Sequence, residues 1–224
     1  GIDIRGDYIK VEGFDISGFW SGVYGGGGVS HAQGGRFVRN LIHDCVSEGI
    51  ILSGSSDFDI GHNTVEGAAT GIILNGANTR IHIHNNRVTA SQGDGIRVAN
   101  SPGCVLDHNV CENNEWDGIY LAESPDCIAD HNRSCNNAWE GIAVGRSPRC
   151  TVTNNETCNN GTGIIVWCSC GTRFERNLAA GNSGYDLAVG NCEEEVYDPT
   201  CNSYSNNHAD TAYPSLEIWD VTLP

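Results

Sequence analysis

The stretch DHNVCENNEWDGIYL at residues 107–121 is followed by DHNRSCNNAWEGIAV at residues 130–144, the same pattern displaced by 23 residues. Each copy joins a polar turn to a glycine and a short apolar segment. The apolar segment alternates in hydrophobicity, which indicates a β-strand rather than a helix. A strand-based repeat of this length is typical of a solenoid. The two stretches therefore predict a chain that is wound into stacked coils.

Two markers of this coil recur along most of the chain. The glycine that opens the apolar strand returns at Gly49, Gly71, Gly95, Gly118, Gly141 and Gly163. The asparagine of the turn returns at Asn40, Asn63, Asn86, Asn109, Asn132, Asn155 and Asn177. Two series with one period predict an all-β fold, a single-stranded, right-handed parallel β-helix of about nine coils.

Stacking places equivalent residues of successive coils directly over one another, about 4.8 Å apart. We expect the isoleucines after the repeated glycines to form a core column, and the asparagines to form a ladder of hydrogen-bonded side-chain amides. Residues 1–201 are predicted to form the helix. The repeat is lost over residues 202–224, which we expect to be a C-terminal tail or cap. The first residues already resemble strands, so an open end capable of end-to-end self-association is expected.

Composition limits the possible partners. The formal net charge is −16, which argues against nucleic acid as a ligand because its binding requires a basic surface. The charge also disfavours anionic glycans, unless a local basic cleft or a bridging cation such as Ca²⁺ assists. No apolar run approaches the ~18 residues that a membrane span requires.

The chain has 11 cysteines, a number that favours an oxidising environment: secreted, cell-surface or periplasmic. Cys104, Cys127 and Cys150 form one predicted column, and Cys135 and Cys158 are expected to be neighbours on adjacent coils. We expect some disulfides along the axis, although free cysteine also serves as small apolar filler. Connectivity cannot be deduced, and the odd number leaves at least one thiol unpaired.

The two quoted coils resemble the right-handed β-helix repeats of the pectate-lyase-like superfamily. They are particularly similar to mannuronan epimerase modules and to NosD-type repeat proteins. This resemblance implies a protein that acts on or binds polysaccharide outside the cytoplasm. The chain lacks the Asp-Pro-His motif of epimerase modules. Where polygalacturonase-like chains have Gly-His-Gly and Arg-Ile-Lys, it has Gly61-His62-Asn63 and Arg80-Ile81-His82. We therefore transfer no catalytic residue from these families.

A row of acidic residues precedes the Gly–Ile strands: Glu48, Asp94, Asp117 and Glu140. Stacked carboxylates repel one another, so either one must have a raised pKa or the row must bind a cation such as Ca²⁺. We predict catalytic carboxylates, or Ca²⁺ ligands, at Asp94, Asp117 and Glu140, and a substrate contact at Glu48. The alternative interpretation is that these acids hydrogen-bond turn amides as part of the repeat.

Further side chains suited to a polysaccharide lie beside this row. Arg97 and Tyr120 occupy the outward position of the same strands. Arg97 could neutralise a uronate carboxylate, and Tyr120 could transfer a proton. Trp116 and Trp139 directly precede the acids and offer flat surfaces for sugar rings, so we predict that they bind substrate.

A second polar row contains two Asp-His pairs, Asp107-His108 and Asp130-His131, with further histidines at His62, His82 and His84. Such residues could supply a base oriented by a carboxylate, or metal ligands. Adjacent residues of a strand point to opposite faces, however, which weakens each Asp-His pair as a unit. A structural role in the turn is the alternative.

Three functions remain open at the level of sequence. The first is a polysaccharide lyase, epimerase or glycoside hydrolase that uses the acidic row. The second is a non-catalytic glycan-binding or surface structural solenoid. The third is a subunit that stacks end to end through its open coils.

Overall fold

Strands of two to six residues alternate with turns along the whole of the chain that the computed structural model describes, residues 1–26, 32–190, 192, 199–213 and 221–222. The strands form three sheets in which every pair is parallel, because each coil contributes one strand to each sheet. The predicted all-β parallel solenoid of about nine coils is confirmed. In the same residues, no helix has the length and apolar composition needed to cross a bilayer.

The first sheet, sheet A, contains the Gly–Ile strands. Its strands are Ile2–Ile4, Val23–Gly26, Glu48–Ser53, Thr70–Asn75, Ile96–Ala99, Ile119–Ala122, Glu140–Gly145, Thr162–Trp167, Leu187–Val189 and Ala212–Tyr213. Sheet B contains Lys10–Glu12, Arg36–Val38, Asp59–Gly61, His82–His84, Val105–Asp107, Ile128–Asp130, Thr151–Thr153, Arg173–Glu175 and Ser203–Ser205. Sheet C contains Asp15–Ser17, Leu41–His43, Thr64–Glu66, Arg87–Thr89, Val110–Glu112, Arg133–Cys135, Glu156–Cys158, Leu178–Ala180, Asn207–Ala209 and Val221–Thr222.

The repeated isoleucines form the predicted core column. Ile96 pairs in register with Ile72 on one side and Ile119 on the other, and all three are fully buried. Burying a side chain of this size stabilises the fold by about 1.5–3 kcal/mol. The preceding glycine is required because coils approach closely there. A Cβ on Gly71 would lie 2.6 Å from the backbone oxygen of Gly95.

The asparagine ladder is also confirmed. The Asn109 side chain donates from Nδ2 to Asn132 Oδ1 at 3.0 Å and to the backbone oxygen of Ile83 at 2.8 Å. Its Oδ1 accepts bonds from the backbone N–H and the side-chain Nδ2 of Asn86. The amide is fully buried, donates two hydrogen bonds and accepts two. Each ladder asparagine therefore links its own coil to the coils before and after it.

A second amide ladder, which the sequence interpretation missed, runs beside sheet A. It consists of Asn114, Asn137, Asn160 and Asn182. Both ladders lie at corners between sheets, where the chain changes direction and buried backbone groups need side-chain partners.

The residue before each ladder asparagine between sheets B and C has a left-handed backbone, with φ between 52° and 57°, at Arg39, His62, Asn85, His108, His131, Asn154, Arg176 and Asn206. This conformation ends the strand. The following side chain turns into the ladder, and the left-handed residue itself points to solvent beside the preceding strand residue.

The three sheets continue past residue 201, where the sequence predicts the helix to end. Ser203–Ser205 pairs with Arg173–Glu175 in sheet B, and Asn177 donates to Asn207 Oδ1 at 3.0 Å. The period is hidden from the sequence because this coil is longer: the two asparagines are 30 residues apart instead of 23. Within the predicted C-terminal tail or cap, residues 214–220 and 223–224 lie outside the described residues.

Three disulfides join neighbouring coils, as expected for stacked cysteines: Cys135–Cys158, Cys168–Cys192 and Cys170–Cys201. The column of Cys104, Cys127 and Cys150 is not bridged, contrary to one expectation for it. These three thiols are buried and fill the core instead. Their sulfurs face backbone carbonyl groups, as in the 3.5 Å contact from Cys127 Sγ to the oxygen of Ser101.

Candidate functional site

The predicted acidic row lies at the corner that leads into sheet A, and much of it is buried. Asp94 and Asp117 are only 2% and 5% exposed, whereas Glu140 is half-buried. Asp94 Oδ1 accepts the backbone N–H of Asp117 at 3.2 Å, and Asp117 Oδ1 accepts that of Glu140 at 3.0 Å. The carboxyl groups therefore hydrogen-bond the backbone of the turn, as the alternative interpretation of the acidic row predicts. They also lie next to one another.

This proximity changes their electrostatics. Burial raises the pKa of Asp94, although Arg97 Nη1 lies 3.1 Å from its Oδ2 and opposes the shift. Burial, together with the hydrogen bond to Glu140 and its charge, raises the pKa of Asp117 to about 9. Asp117 is therefore protonated at neutral pH and hydrogen-bonded to Glu140, as expected when two carboxyl groups occupy one site.

Glu48 is separated from the other acids. Thr70 occupies the coil between Glu48 and Asp94 in this column, and Glu48 Oε2 accepts a 2.8 Å hydrogen bond from Ser21 Oγ. The structure thus brings together three of the four predicted acids and places Glu48 two coils away.

Arg97 and Tyr120 lie side by side on the outer face of sheet A, as predicted. The Arg97 guanidinium carbon is 5.0 Å from the centre of the Tyr120 ring. The sequence interpretation missed Trp167, which lies 5.7 Å from Tyr120 between ring centres and covers Gly145. Burial raises the pKa of Tyr120, so its hydroxyl is a proton donor at neutral pH.

The two predicted tryptophans form a stacked pair at the edge of this face. The rings of Trp116 and Trp139 are 5.4 Å apart between centres and 12° from parallel, and the side chains are 45% and 55% exposed. Backbone hydrogen bonds place Gly93 before the pair and Gly161 after it. Because the flanking positions have no side chains, this column leaves the two outer ring faces open.

A polar depression adjoins the tryptophan pair. It is lined by Asn137, Ala138, Asn159, Asn160, Gly161, Gly181 and Ser183. Aromatic surface beside amide and hydroxyl groups is the combination that orients a sugar, whose rings have an apolar face and a polar rim.

The three predicted Ca²⁺ ligands are arranged in a way that suits a proton better than Ca²⁺. Calcium takes six to eight oxygen ligands. Here Asp94 already has a positive partner in Arg97, and burial holds Asp117 protonated.

The groups with metal-ligand spacing among the described residues lie elsewhere. One consists of Cys135, Glu156 and Cys158, whose two cysteines are joined in a disulfide. The other consists of Asp59, His82 and His84 on the outer face of sheet B, with their donor atoms within 4.8 Å of one another.

The second polar row is more compact than the sequence interpretation expects. Asp107 hydrogen-bonds both His82 and His108, the latter at 2.8 Å, and Asp130 bonds His131 at 2.8 Å. The expectation that each Asp-His pair is split between two faces is wrong. The histidine after each aspartate has a left-handed backbone, with φ of 55° at His108, and so stays on the same side.

The sequence interpretation also missed Asp59 as a member of this row. A signal was present, because Asp59 lies one period of 23 residues before His82, and the two pair in register in sheet B. The hydrogen bonds within the row combine residues from three coils.

No curated protein matches the sequence. Several solved structures match the fold. The periplasmic alginate epimerase AlgG superimposes with a TM-score of 0.69 at 18% identity, covering 80% of this chain and 44% of the epimerase. The A-module of the Azotobacter vinelandii mannuronan C-5 epimerase AlgE6 gives 0.64 at 17% identity, covering 91% and 56%.

DFA-IIIase from Arthrobacter chlorophenolicus A6, in complex with GF2, gives a TM-score of 0.61 at 13% identity, covering 89% of this chain and 68% of that enzyme. At identities this low, the structural similarity demonstrates a shared fold and nothing more. The chain spans about half the length of the two epimerase structures.

The profile of one family, described as the right handed beta helix region, matches residues 1–101 and 27–179. These two matches cover most of the chain and the coils of all three sheets. The chain belongs to the right-handed β-helix family.

Proposed function

We propose that the protein acts, outside the cytoplasm, on a polysaccharide that lies along the outer face of sheet A. The observation that carries the proposal is the open Trp116–Trp139 pair beside a hydrogen-bonded pair of carboxyl groups, Asp117 and Glu140. Polysaccharide-related proteins among the structural neighbours, and disulfides suited to an oxidising environment, support it.

Binding comes from the aromatic groups. Sugar rings would stack on the outer faces of Trp116 and Trp139, and the polar depression beside Trp139 would hydrogen-bond their hydroxyl groups. The chain would then continue over Tyr120 and Arg97, which lie on the strands that directly follow the acids.

Chemistry would start from the proton of this hydrogen-bonded pair. Asp117 is protonated at neutral pH, and Glu140 is half-buried and can relay the proton to the substrate. Donation to the glycosidic oxygen, the step that a general acid performs in glycoside hydrolysis, would let the bond to the anomeric carbon break. A water would then add to that carbon and return a proton to the carboxyl pair. Tyr120, also protonated, would be a second donor rather than a base. The lyase and epimerase alternatives require removal of a proton from a sugar carbon, which Glu140 could perform only in its ionised form.

The test is a glycan array followed by product analysis. We expect binding that the double variant Trp116→Ala/Trp139→Ala weakens by about 10- to 100-fold, since each stacked aromatic platform contributes about 1 kcal/mol. The matched control is Trp20→Ala, an exposed tryptophan in the same column several coils away. Equal affinity of the double variant and the parent would refute the binding face.

Catalysis is tested separately with Asp117→Asn. This variant keeps the acceptor for the Glu140 N–H but has no acidic proton. We expect the chain to stay folded and bind glycan, with product formation lost. Unchanged turnover would remove the pair from the mechanism. The same assay with a chelator should show no change, and loss of activity would restore Ca²⁺ at Asp94, Asp117 and Glu140.

A non-catalytic glycan-binding protein is the second candidate. It is favoured by the burial of Asp94 and Asp117, whose carboxyl groups are bonded to backbone of the next coil. Glycan binding at the tryptophan pair without any product from the parent protein would establish this alternative.

A further inference from the structure

We propose that the outer face of sheet B holds a site for a borderline divalent transition metal, represented by Zn²⁺, with Asp59, His82 and His84 as ligands and Asp107 as a fourth. This site is separate from the sheet A face. Its test does not depend on the proposed function.

The geometry brings three donor atoms together from two coils, and Asp107 on the next coil hydrogen-bonds one of the three ligands, His82. Asp59 Oδ1 lies 2.6 Å from His84 Nε2, and His82 Nε2 hydrogen-bonds Asp107 Oδ1. The rings of His82 and His84 are stacked with centres 4.3 Å apart. Ligand atoms of Asp59, His82 and His84 all lie within 4.8 Å of one another, so small side-chain shifts would place each of them about 2.0–2.2 Å from one ion.

The donor set selects the metal class. Two imidazole nitrogens with one or two carboxylate oxygens suit Zn²⁺, Cu²⁺ or Ni²⁺, whereas Ca²⁺ and Mg²⁺ require oxygen ligands. The site is accessible, because the His82 side chain is 48% exposed. His84, Asp59 and Asp107 are less exposed, at 17%, 28% and 22%.

Neighbouring groups hold the ligands in place. Arg36 donates to Asp59 Oδ2 at 2.9 Å, which leaves Oδ1 for a metal. Asn85 Nδ2 lies 3.0 Å from His84 Nδ1. A flip of the Asn85 amide would place its Oδ1 there, where it could accept a hydrogen bond from Nδ1–H while Nε2 binds the ion.

Gly61 provides the space for the His84 ring. A Cβ on Gly61 would lie 2.4 Å from His84 Nε2, so only glycine lets the imidazole lie over this strand. Gly61 is thus a positioning residue, and it gives a test that leaves all four ligands present.

Zn²⁺ binding to the oxidised protein is measured by titration calorimetry, and Co²⁺ binding by its visible absorption. We expect one ion per chain. His82→Gln or His84→Gln should weaken binding by more than about 100-fold, and Gly61→Ala by about 10-fold or more. His131→Asn, a histidine with an aspartate partner outside the cluster, should bind like the parent.

Absence of a one-to-one complex in the parent, or equal affinity in His84→Gln and the parent, would overturn the proposal. A strong thiolate charge-transfer band in the Co²⁺ spectrum would also overturn it, because it would place the ion on cysteine. Circular dichroism of each variant separates a lost ligand from a lost fold, and parent-like affinity in a folded Gly61→Ala would refute its positioning role.

Discussion

The corner before sheet A and the outer face of sheet B both carry acidic residues from successive coils, yet they place those acids in opposite electrostatic environments. At sheet A, burial raises the pKa values of Asp94 and Asp117. At sheet B, burial opposes the change, but hydrogen bonds from His84 and Arg36 lower the pKa of Asp59, and those from His108 and His82 lower that of Asp107.

The difference follows from position within the coil. The sheet A acids occupy the corner before the Gly–Ile strands. There a carboxyl group accepts a backbone N–H of the next coil and is removed from water. The sheet B acids lie at outward strand positions, with cationic or imidazole neighbours and solvent. The stacking of coils thus creates a proton-holding pair at the corner before sheet A and an ionised, ligand-like cluster on the outer face of sheet B.

Both faces rest on the asparagine ladders, and breaking one should have the largest effect. Asn109→Ala would leave the buried oxygen of Ile83 and two donors of Asn86 without partners. We expect a loss of about 3–6 kcal/mol in the free energy of unfolding, measured by urea denaturation.

The control for this variant is Asn75→Ala, an exposed asparagine at the end of a sheet A strand, which should change stability by less than about 0.5 kcal/mol. Similar losses of unfolding free energy in Asn109→Ala and Asn75→Ala would show that the ladder stabilises the fold no more than an exposed asparagine does.

Removing one arginine from each face should sharpen the comparison. Arg97→Gln leaves the buried Asp94 carboxyl group without its cation, and we expect a loss of about 1–3 kcal/mol at pH 7. Arg36→Gln breaks a more exposed pair with Asp59 and should cost less than about 1 kcal/mol. Thermal or urea unfolding of the two variants measures both losses of stability. A larger loss of stability in Arg36→Gln than in Arg97→Gln would reverse the assignment of the two environments.

The pH dependence of stability should have opposite signs on the two faces. Asp117 stays protonated in the folded protein up to about pH 9, whereas in the unfolded chain it ionises near pH 4. The folded state therefore binds the extra proton between these values. Its contribution is fully present below about pH 4 and is lost as pH rises toward 9, by at most about 1.4 kcal/mol per pH unit.

Asp59 and Asp107 have lowered pKa values, so their contribution is present above about pH 4 and is lost as pH falls below it. Urea unfolding from pH 3 to pH 9 measures both effects. Asp117→Asn should flatten the fall in stability between about pH 4 and pH 9 alone. Asp107→Asn should flatten only the fall in stability below about pH 4. An Asp117→Asn profile that matches the parent above pH 5 would contradict the proton-holding pair.

The columns of this fold are readable from the sequence because a single period fixes which residues meet. The isoleucine column, the Asn40–Asn177 ladder and the Trp116–Trp139 pair all follow from it. The period does not fix backbone conformation within a turn, so the side chosen by His108 could not be foreseen. It also does not fix burial, which decides that Asp117 keeps its proton while Asp59 is ionised.

Irregular coils set another limit. The coil between Asn177 and Asn207 is longer than the others, and the repeat disappears from the sequence although the hydrogen bonds continue. The disulfides Cys168–Cys192 and Cys170–Cys201 lie in the same irregular region, where spacing gives no register from which to pair them.

A crystal structure of the protein with an oligosaccharide taken from the best ligand of the glycan array is the most direct test of the proposed glycan site. We predict sugar rings stacked on the outer faces of Trp116 and Trp139, with a glycosidic oxygen or sugar carbon within hydrogen-bonding distance of Glu140. Density for the sugar on sheet B or sheet C, with the tryptophan pair uncovered, would contradict the proposed site.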